Sequence, residues 1–277
     1  MIERQQTFRA AAVQMTSTTD VDGNLAEAER LIAEAVAAGA RLVVLPENFS
    51  FLGADDAARV AVAEPADRGP AQQFAIEQAR RHSIWLVAGT IPIADAGGRV
   101  RSRSLLLAPD GSIAERYDKI HLFDVSVPSS NGERYRESAT TIAGERVVSA
   151  ATELARIGMT VCYDIRFPAL FHRLALAGMD VLVVPAAFTV PTGRLHWLPL
   201  LKARAIESLS YVVAAGQWGE HDGGRQTYGH SMIVGPWGDV LAECETGAGI
   251  AVAELDMMDL QRLRQQFPAL EHRRDLD

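Results

Sequence analysis

Cysteine is scarce: the 277 residues contain two, Cys162 and Cys244. Two such distant thiols make neither a disulfide framework nor a CxxC or metal pattern, which fits a reducing compartment, so a cytoplasmic location is expected. Long apolar runs are missing as well. No stretch reaches ~18 uninterrupted apolar residues, and the opening MIERQQTFRAAAVQM places charged residues before a short strand-like run, so neither membrane nor secretory targeting is expected. The Asn48-Phe49-Ser50 sequon accordingly carries no meaning for glycosylation. Positive charge is in deficit: a net charge of -8 and basic clusters as short as ARR (79–81) and HRR (272–274) argue against a nucleic-acid footprint. HExxH, a P-loop and a GxGxxG after a strand are all absent. Gly247-Ala248-Gly249 reads as a hairpin turn, and GHSMI (229–233) lacks the closing glycine of a nucleophile elbow. Seven scattered histidines show no metal-ligand spacing. No metal and no cofactor are therefore expected, and the partners left are a small molecule and further copies of the chain.

What is present points to a layered α/β fold. With 48% hydrophobic and 22% charged residues the chain has ample material for a large core. Strand-length apolar runs (RAAAVQM, RLVVLPE, IWLVAGT, VLVVPAAF, YVVAAGQW) alternate with segments of helical period. Among the latter are NLAEAERLIAEAVAAG, with Gly39 as its C-cap, and LHWLPLLKARAIESL. That alternation predicts α/β. Turn chemistry at 95–98, Pro109-Asp110-Gly111, Asp222-Gly223-Gly224 and Pro236-Trp237-Gly238 joins other strands as antiparallel neighbours, so mixed sheets are expected.

The chain also resembles itself. Residues 75–115 align with 205–243: both run from Ala-Ile-Glu through an apolar strand closing on Ala-Gly, a GGR turn, a strand bearing a serine (Ser104, Ser231) and a Pro-x-Gly turn. Upstream of each lies LVVLPENF (42–49) or VLVVPAAF (181–188). Two related halves, each a sheet covered by helices on one face, predict a four-layer α-β-β-α sandwich with an internal pseudo-twofold repeat, the uncovered faces packed together. No linker or charge block separates the halves, so one domain over residues 1–277 is expected.

Three residues stand out chemically. Glu47 closes an apolar strand behind a proline; a carboxylate there is either a solvated edge residue or a catalytic group in a crevice at the carboxyl ends of strands. Lys119, in ERYDKIHLFD, is either a surface lysine paired with Asp118 or Asp124 or a site residue, and His121 beside it reads as a structural hydrogen-bonder or a base. Cys162, in VCYDIRFP, is either a packing thiol or a nucleophile. It sits where a strand gives way to a helix expected to open at Pro168, and backbone N–H groups in such a turn stabilise a thiolate and bind an oxyanion. Cys244, between acidic residues on an edge-like strand, serves as the comparison thiol, with its pKa expected to be raised by those neighbours.

With Glu47, Lys119 and Cys162 in that order, the sequence resembles the nitrilase, or carbon-nitrogen hydrolase, superfamily, through LVVLPENF, YDKIHLFDV and GMTVCYDIRFP. The resemblance covers nearly the whole chain and implies the same sandwich. AAFTVPTGRLHW (186–197), LKARAIES, YGHSMIVGPWGDVLAE and FPALEHRRDL resemble the branch of amidases acting on deaminated glutathione, with the omega-amidases beside it. Two departures stand out: loop 127–138, at the substrate mouth, is longer than usual, and Ala169 replaces a common glutamate.

The resemblance implies Cys162 as nucleophile, Glu47 as general base, Lys119 with the backbone N–H of Tyr163 as oxyanion stabiliser, and Glu137 as a helper that positions Lys119 or the substrate. The thiolate would attack the amide carbon, Glu47 would return the proton to leaving ammonia, and water activated by Glu47 would free the acid from a thioester. A close Glu47–Lys119 contact favours both charged forms, and Glu47 must be partly buried to accept a thiol proton. For a substrate with an α-keto acid end Arg166 offers a carboxylate fork, unless it pairs with Asp164. The resemblance adds Phe188 and Thr192 as pocket neighbours and implies a homodimer or higher homo-oligomer formed through the helical outer layer and C-terminal tail.

The expected substrate is deaminated glutathione. The alternatives are an omega-amidase on α-ketoglutaramate, another small-amide or carbamoyl hydrolase, and, from other classes, a non-catalytic scaffold or a thiol redox sensor. The intact Glu47, Lys119 and Cys162 argue against the scaffold, and the lack of a nearby resolving cysteine argues against the sensor.

Overall fold

Two six-stranded mixed sheets lie face to face between helices. The computed structural model describes residues 6–53, 56–127 and 134–274, with Asp56 described by its backbone alone. The first sheet is built from β1 (Thr7–Gln14), β2 (Ala40–Val44), β3 (Trp85–Ala94), β4 (Val100–Leu107), β5 (Ile113–Asp118) and the late strand β16 (Gly249–Asp256), in the order β16-β1-β2-β3-β4-β5. A short ribbon of β6 (Asp124–Ser126) and β7 (Arg134–Arg136) follows. The second sheet takes β8 (Ser149–Ala151), β9 (Arg156–Met159), β10 (Val181–Ala186), β11 (Tyr211–Gly216), β14 (Ser231–Val234) and β15 (Val240–Cys244), in the order β15-β14-β11-β10-β9-β8. A second ribbon, β12 (Trp218–Glu220) with β13 (Gln226–Tyr228), lies between β11 and β14 in sequence.

Alternation along the strands assigns each side chain to one of two cores. In β1, Ala10 and Ala12 face the opposite sheet, while Ala11 and Val13 face the helices; β2 divides Leu42 and Val44 from Val43 in the same way. The outer core is closed by α1 (Val21–Ala37), through Ala28, Leu31, Ile32 and Ala35, and by α3 (Pro70–His82), through Ala71, Ala75 and Ala79. Between these helices in sequence lies the short α2 (Asp56–Ala61). The second sheet is covered by α4 (Pro168–Leu176), through Leu170, Phe171 and Leu174, and by α5 (Val190–Ser208), through Trp197, Leu201 and Ala205. Each fully buried large aliphatic side chain contributes about 1.5–3 kcal/mol, which is why a period-2 pattern with both faces apolar dictates a four-layer arrangement. The last helix, α6 (Met257–Gln266), reaches the second half, where Arg264 Nη1 donates to Asp180 Oδ1 at 2.8 Å.

The pseudo-twofold repeat is present strand for strand. β1-α1-β2-α3-β3-β4-β5 corresponds to β9-α4-β10-α5-β11-β14-β15, with parallel pairing through the first three strands and antiparallel pairing after. Local details differ from the sequence reading. Ala38 caps α1, and Gly39, at φ 85°, is the left-handed residue beyond it. α5 begins at Val190, ahead of the expected LHWLPLL segment, with Pro191 in its first turn. A 3-10 turn, Cys162–Arg166, is interposed before the helix that opens at Pro168. Residues 128–133 of the long loop lie outside the described residues. Among the described residues no helix is long and apolar enough to cross a membrane.

Candidate active site

The carboxyl ends of β2, β5, β9 and β10 converge, and each delivers one element of a single pocket of about 470 Å³. Glu47 arrives on the turn after β2. Its neighbour Asn48 adopts φ 60°, held by Asn48 N–H donating to Thr90 Oγ1 at 2.9 Å, and the Glu47 carbonyl accepts from Gln217 Nε2 at 3.0 Å. Both halves thus clamp this turn. Gly89 makes it possible: a Cβ there would stand 1.8 Å from the Pro46 carbonyl oxygen. Lys119 follows β5 directly. It is 2% exposed, so the surface-lysine alternative does not hold, and Asp118 is engaged instead by Arg103 Nε at 2.7 Å.

Lys119 Nζ donates to Glu47 Oε1 at 2.8 Å and to Glu137 Oε2 at 2.9 Å. Glu137, on a 3-10 turn after β7, also accepts from Phe123 N–H at 2.8 Å and lies 3.5 Å from Arg59 Nη1. Burial works against ionising Lys119 and Glu137. The charges of Glu137 and Glu47 nevertheless hold Lys119 protonated well above its ordinary range, and those of Lys119 and Arg59 hold Glu137 down at about 2.

Cys162 opens the 3-10 turn with φ 48°, a left-handed conformation that aims its side chain off the strand end. Its thiol shares the pocket with the Glu47 carboxylate, Lys119 and Ala187. Burial, and then the Glu47 charge, push its pKa well above the ordinary value, against the opposing pull of Lys119. The resting sulfur is therefore a thiol in the same pocket as a carboxylate, an arrangement in which the proton leaves as attack begins. Cys244 behaves as a different thiol: burial, then Glu34 and Glu243, raise its pKa, and it lies outside the pocket.

Asp164 ties the cysteine turn to the lysine segment. It is fully buried, accepts from Val161 N–H at 2.8 Å and from Tyr117 Oη at 2.6 Å, and takes His121 N–H at 3.0 Å with His121 Nδ1 at 2.7 Å. His121 is thereby a structural hydrogen-bonder, stacked on Phe167 with ring centroids 3.7 Å apart. It also follows that Arg166 does not pair with Asp164. Its guanidinium lies 5.8 Å from the Tyr163 ring and 5.2 Å from the Phe188 ring, and Nη1 donates to His196 Nδ1 at 3.1 Å. Burial and the neighbouring Arg166 lower the pKa of His196, which keeps it an acceptor.

Glu47, Lys119, Glu137, Cys162, Tyr163, Arg166, Phe188 and Thr192 all line this pocket. Residues that sequence reasoning did not assign join them: Asn48, Arg59, Phe123, Tyr135, Ala187 and Arg225. Arg225 had a visible signal, as the arginine of the second GGR turn. Arg59 had none, because α2 is a short segment whose approach to Glu137 is set by chain folding.

Comparison with known proteins follows this geometry. The family model described as carbon-nitrogen hydrolase matches residues 9–265. The deaminated glutathione amidase of Synechocystis sp. is 44% identical over 275 residues, spanning 96% of this chain and 98% of its own. The crystal structure of Saccharomyces cerevisiae Nit3, a member of branch 10 of the nitrilase superfamily, matches with a TM-score of 0.86 at 32% identity over 98% of each chain. A variant amidase from Nesterenkonia sp., with acrylamide added at its active site cysteine, matches with a TM-score of 0.78 at 26% identity over 94% of this chain and 98% of its own.

Proposed function

This chain belongs to the carbon-nitrogen hydrolase family, and from that premise we propose that it hydrolyses a small carboxylated amide through a thioester on Cys162. The convergence of Cys162, Glu47 and Lys119 in one pocket, with Lys119 Nζ donating to Glu47 Oε1 at 2.8 Å, carries the reading. Glu47 takes the thiol proton as sulfur attacks the amide carbon. Lys119, already 2.8 Å from Glu47, and the backbone N–H of Tyr163 receive the developing oxyanion. Glu137, itself held ionised, keeps Lys119 charged and aimed. The proton then passes from Glu47 to the departing nitrogen, the C–N bond breaks, and a thioester remains. Water gives its proton to Glu47 and attacks the thioester; the C–S bond breaks, the acid leaves, and the sulfur recovers its proton.

Deaminated glutathione is the substrate this reading selects, by likeness to the Synechocystis amidase. For that substrate the departing group is the amine of a cysteinylglycine dipeptide, which revises the expectation of ammonia; ammonia leaves from α-ketoglutaramate. Arg166, with Phe188 and Thr192 beside it, is the receptor for the α-keto acid carboxylate. A single domain, a homodimer and a cytoplasmic location complete the reading.

Release of the shared 2-oxo diacid product from deaminated glutathione and from α-ketoglutaramate tests it. Turnover of deaminated glutathione that persists in Cys244→Ala and disappears in Cys162→Ala is expected. Negligible turnover of both substrates by the wild type would remove the substrate assignment.

A further inference from the structure

The pocket contains four cationic side chains, and they fall into two classes. Lys119 and Arg59 are neutralised from within, by Glu47 and Glu137. Arg166 and Arg225 have no carboxylate partner among the described residues. Arg166 donates to a neutral histidine. The Arg225 side chain makes one long hydrogen bond, Nη2 to the Ala187 carbonyl at 3.3 Å, while its Nε is buried with no hydrogen-bond partner. A guanidinium turned into a pocket with unused donors is favourable only when an anion arrives to take them.

The two line the same pocket as the reactive sulfur and are linked by a run of ring contacts. Arg225 lies over the Tyr135 ring at 5.2 Å, Tyr135 packs on Phe123 at 5.0 Å, Phe123 on Tyr163 at 5.0 Å, and Arg166 over Tyr163 at 5.8 Å. Ala187, which lines the pocket with Cys162, receives Arg225 on its carbonyl, and the ring of the next residue, Phe188, lies 5.2 Å from the Arg166 guanidinium.

We infer that Arg225 is a specificity-determining residue, the receptor for a second carboxylate on the leaving-group side of the scissile amide, so that the pocket selects amides with an anion at each end. The inference rests on the amidase reading above and deepens it. Arg166 holds the acyl-side carboxylate that stays on the thioester. Arg225 holds the carboxylate that departs with the amine, and a mono-carboxylate amide leaves Arg225 unused.

The test compares deaminated glutathione with its C-terminal amide, in which the glycine carboxylate is capped, by release of the 2-oxo diacid. The wild type is expected to prefer the free carboxylate about 10- to 100-fold in kcat/KM, the effect of one charge-assisted hydrogen bond. In Arg225→Gln that ratio is expected to fall to near one, whereas in Arg166→Gln both substrates weaken together and the ratio persists. Wild-type turnover of both substrates at equal kcat/KM would overturn the inference and leave the amidase reading standing, a comparison that does not depend on any variant folding. Retention of the preference in Arg225→Gln would overturn it as well. No wild-type turnover of either substrate would overturn the reading and the inference together.

Discussion

At the end of β2 the chain reads Pro46-Glu47-Asn48-Phe49; at the same place in the second half, the end of β10, it reads Pro185-Ala186-Ala187-Phe188. Both phenylalanines are buried, Phe49 in the core beneath the helices and Phe188 at the pocket beside Arg166. The inner pair differs. The first half places a carboxylate at the strand end, and the second places two methyl groups, so that Ala187 brings no titratable side chain to the pocket. The GGR turns diverge likewise: Arg99 stands in solvent, whereas Arg225 lines the pocket. A duplicated scaffold supplies two equivalent sets of strand ends, and function arises where their side chains stop being equivalent.

Breaking the asymmetry has the largest expected effect. Glu47→Gln should lower kcat about 10²–10⁴-fold, measured by diacid release, because the thiol then has no base. The other thiol provides the contrast: Cys244→Ala, at a half-buried position outside the pocket, should change kcat less than about twofold.

Packing at the paired Ala-Gly strands comes next. A Cβ at Gly89 would meet the Pro46 carbonyl at 1.8 Å, whereas at Gly216 it would meet the Gly229 carbonyl at 2.9 Å. Gly89→Ala should therefore cost about 3 kcal/mol or more and Gly216→Ala about 1 kcal/mol, read from denaturant unfolding. A reversed order would show that the first half's turn relaxes more easily than its clamp by Thr90 and Gln217 implies.

The halves should also lose stability to acid at different points. His221, beside the second ribbon, is held at about 4 by burial, with Nδ1 and the Ser17 carbonyl 2.8 Å apart. Its folded pKa lies below its unfolded value of ~6.5, so its contribution is complete above that value and disappears as pH falls toward 4, up to about 3 kcal/mol. Glu137, at about 2 and ordinarily 4.5, contributes above pH 4.5 and loses its effect toward pH 2. Unfolding free energy followed from pH 7 downward should show the His221 loss first, and His221→Gln should flatten that part of the profile alone. The smallest effect is expected at Asp110: Asp110→Ala, in an exposed turn, should leave the midpoint of denaturant unfolding essentially where it is.

Much of this was legible in the sequence because it depends on local pattern. Period-2 alternation in RLVVLPE and VLVVPAAF, turn residues at GGR and Pro-x-Gly, and a proline opening α4 are consequences of backbone sterics and burial, which act over a few residues. The duplication could be read because both copies obey the same rules, and the family motifs around Glu47, Lys119 and Cys162 are contiguous. Spacing alone left a surface role open for Lys119 and a packing role open for Cys162, since burial is a property of the assembled sandwich.

Tertiary structure decided what lies opposite what. Asp164 was free on paper to pair with Arg166; the fold spends its oxygens on Val161, Tyr117 and His121, and so leaves Arg166 available to the pocket. Ala187, Arg59 and Arg225 reach the site from a strand end, a helix and a turn far apart in the chain, and no local signal encodes such a meeting. The sequence by itself determined the layers, the repeat and the chemical types at the strand ends, through short-range sterics and hydrophobic periodicity. Which charges are cancelled inside the pocket and which are left for a ligand was settled only by long-range packing, because electrostatic pairing depends on distance and burial.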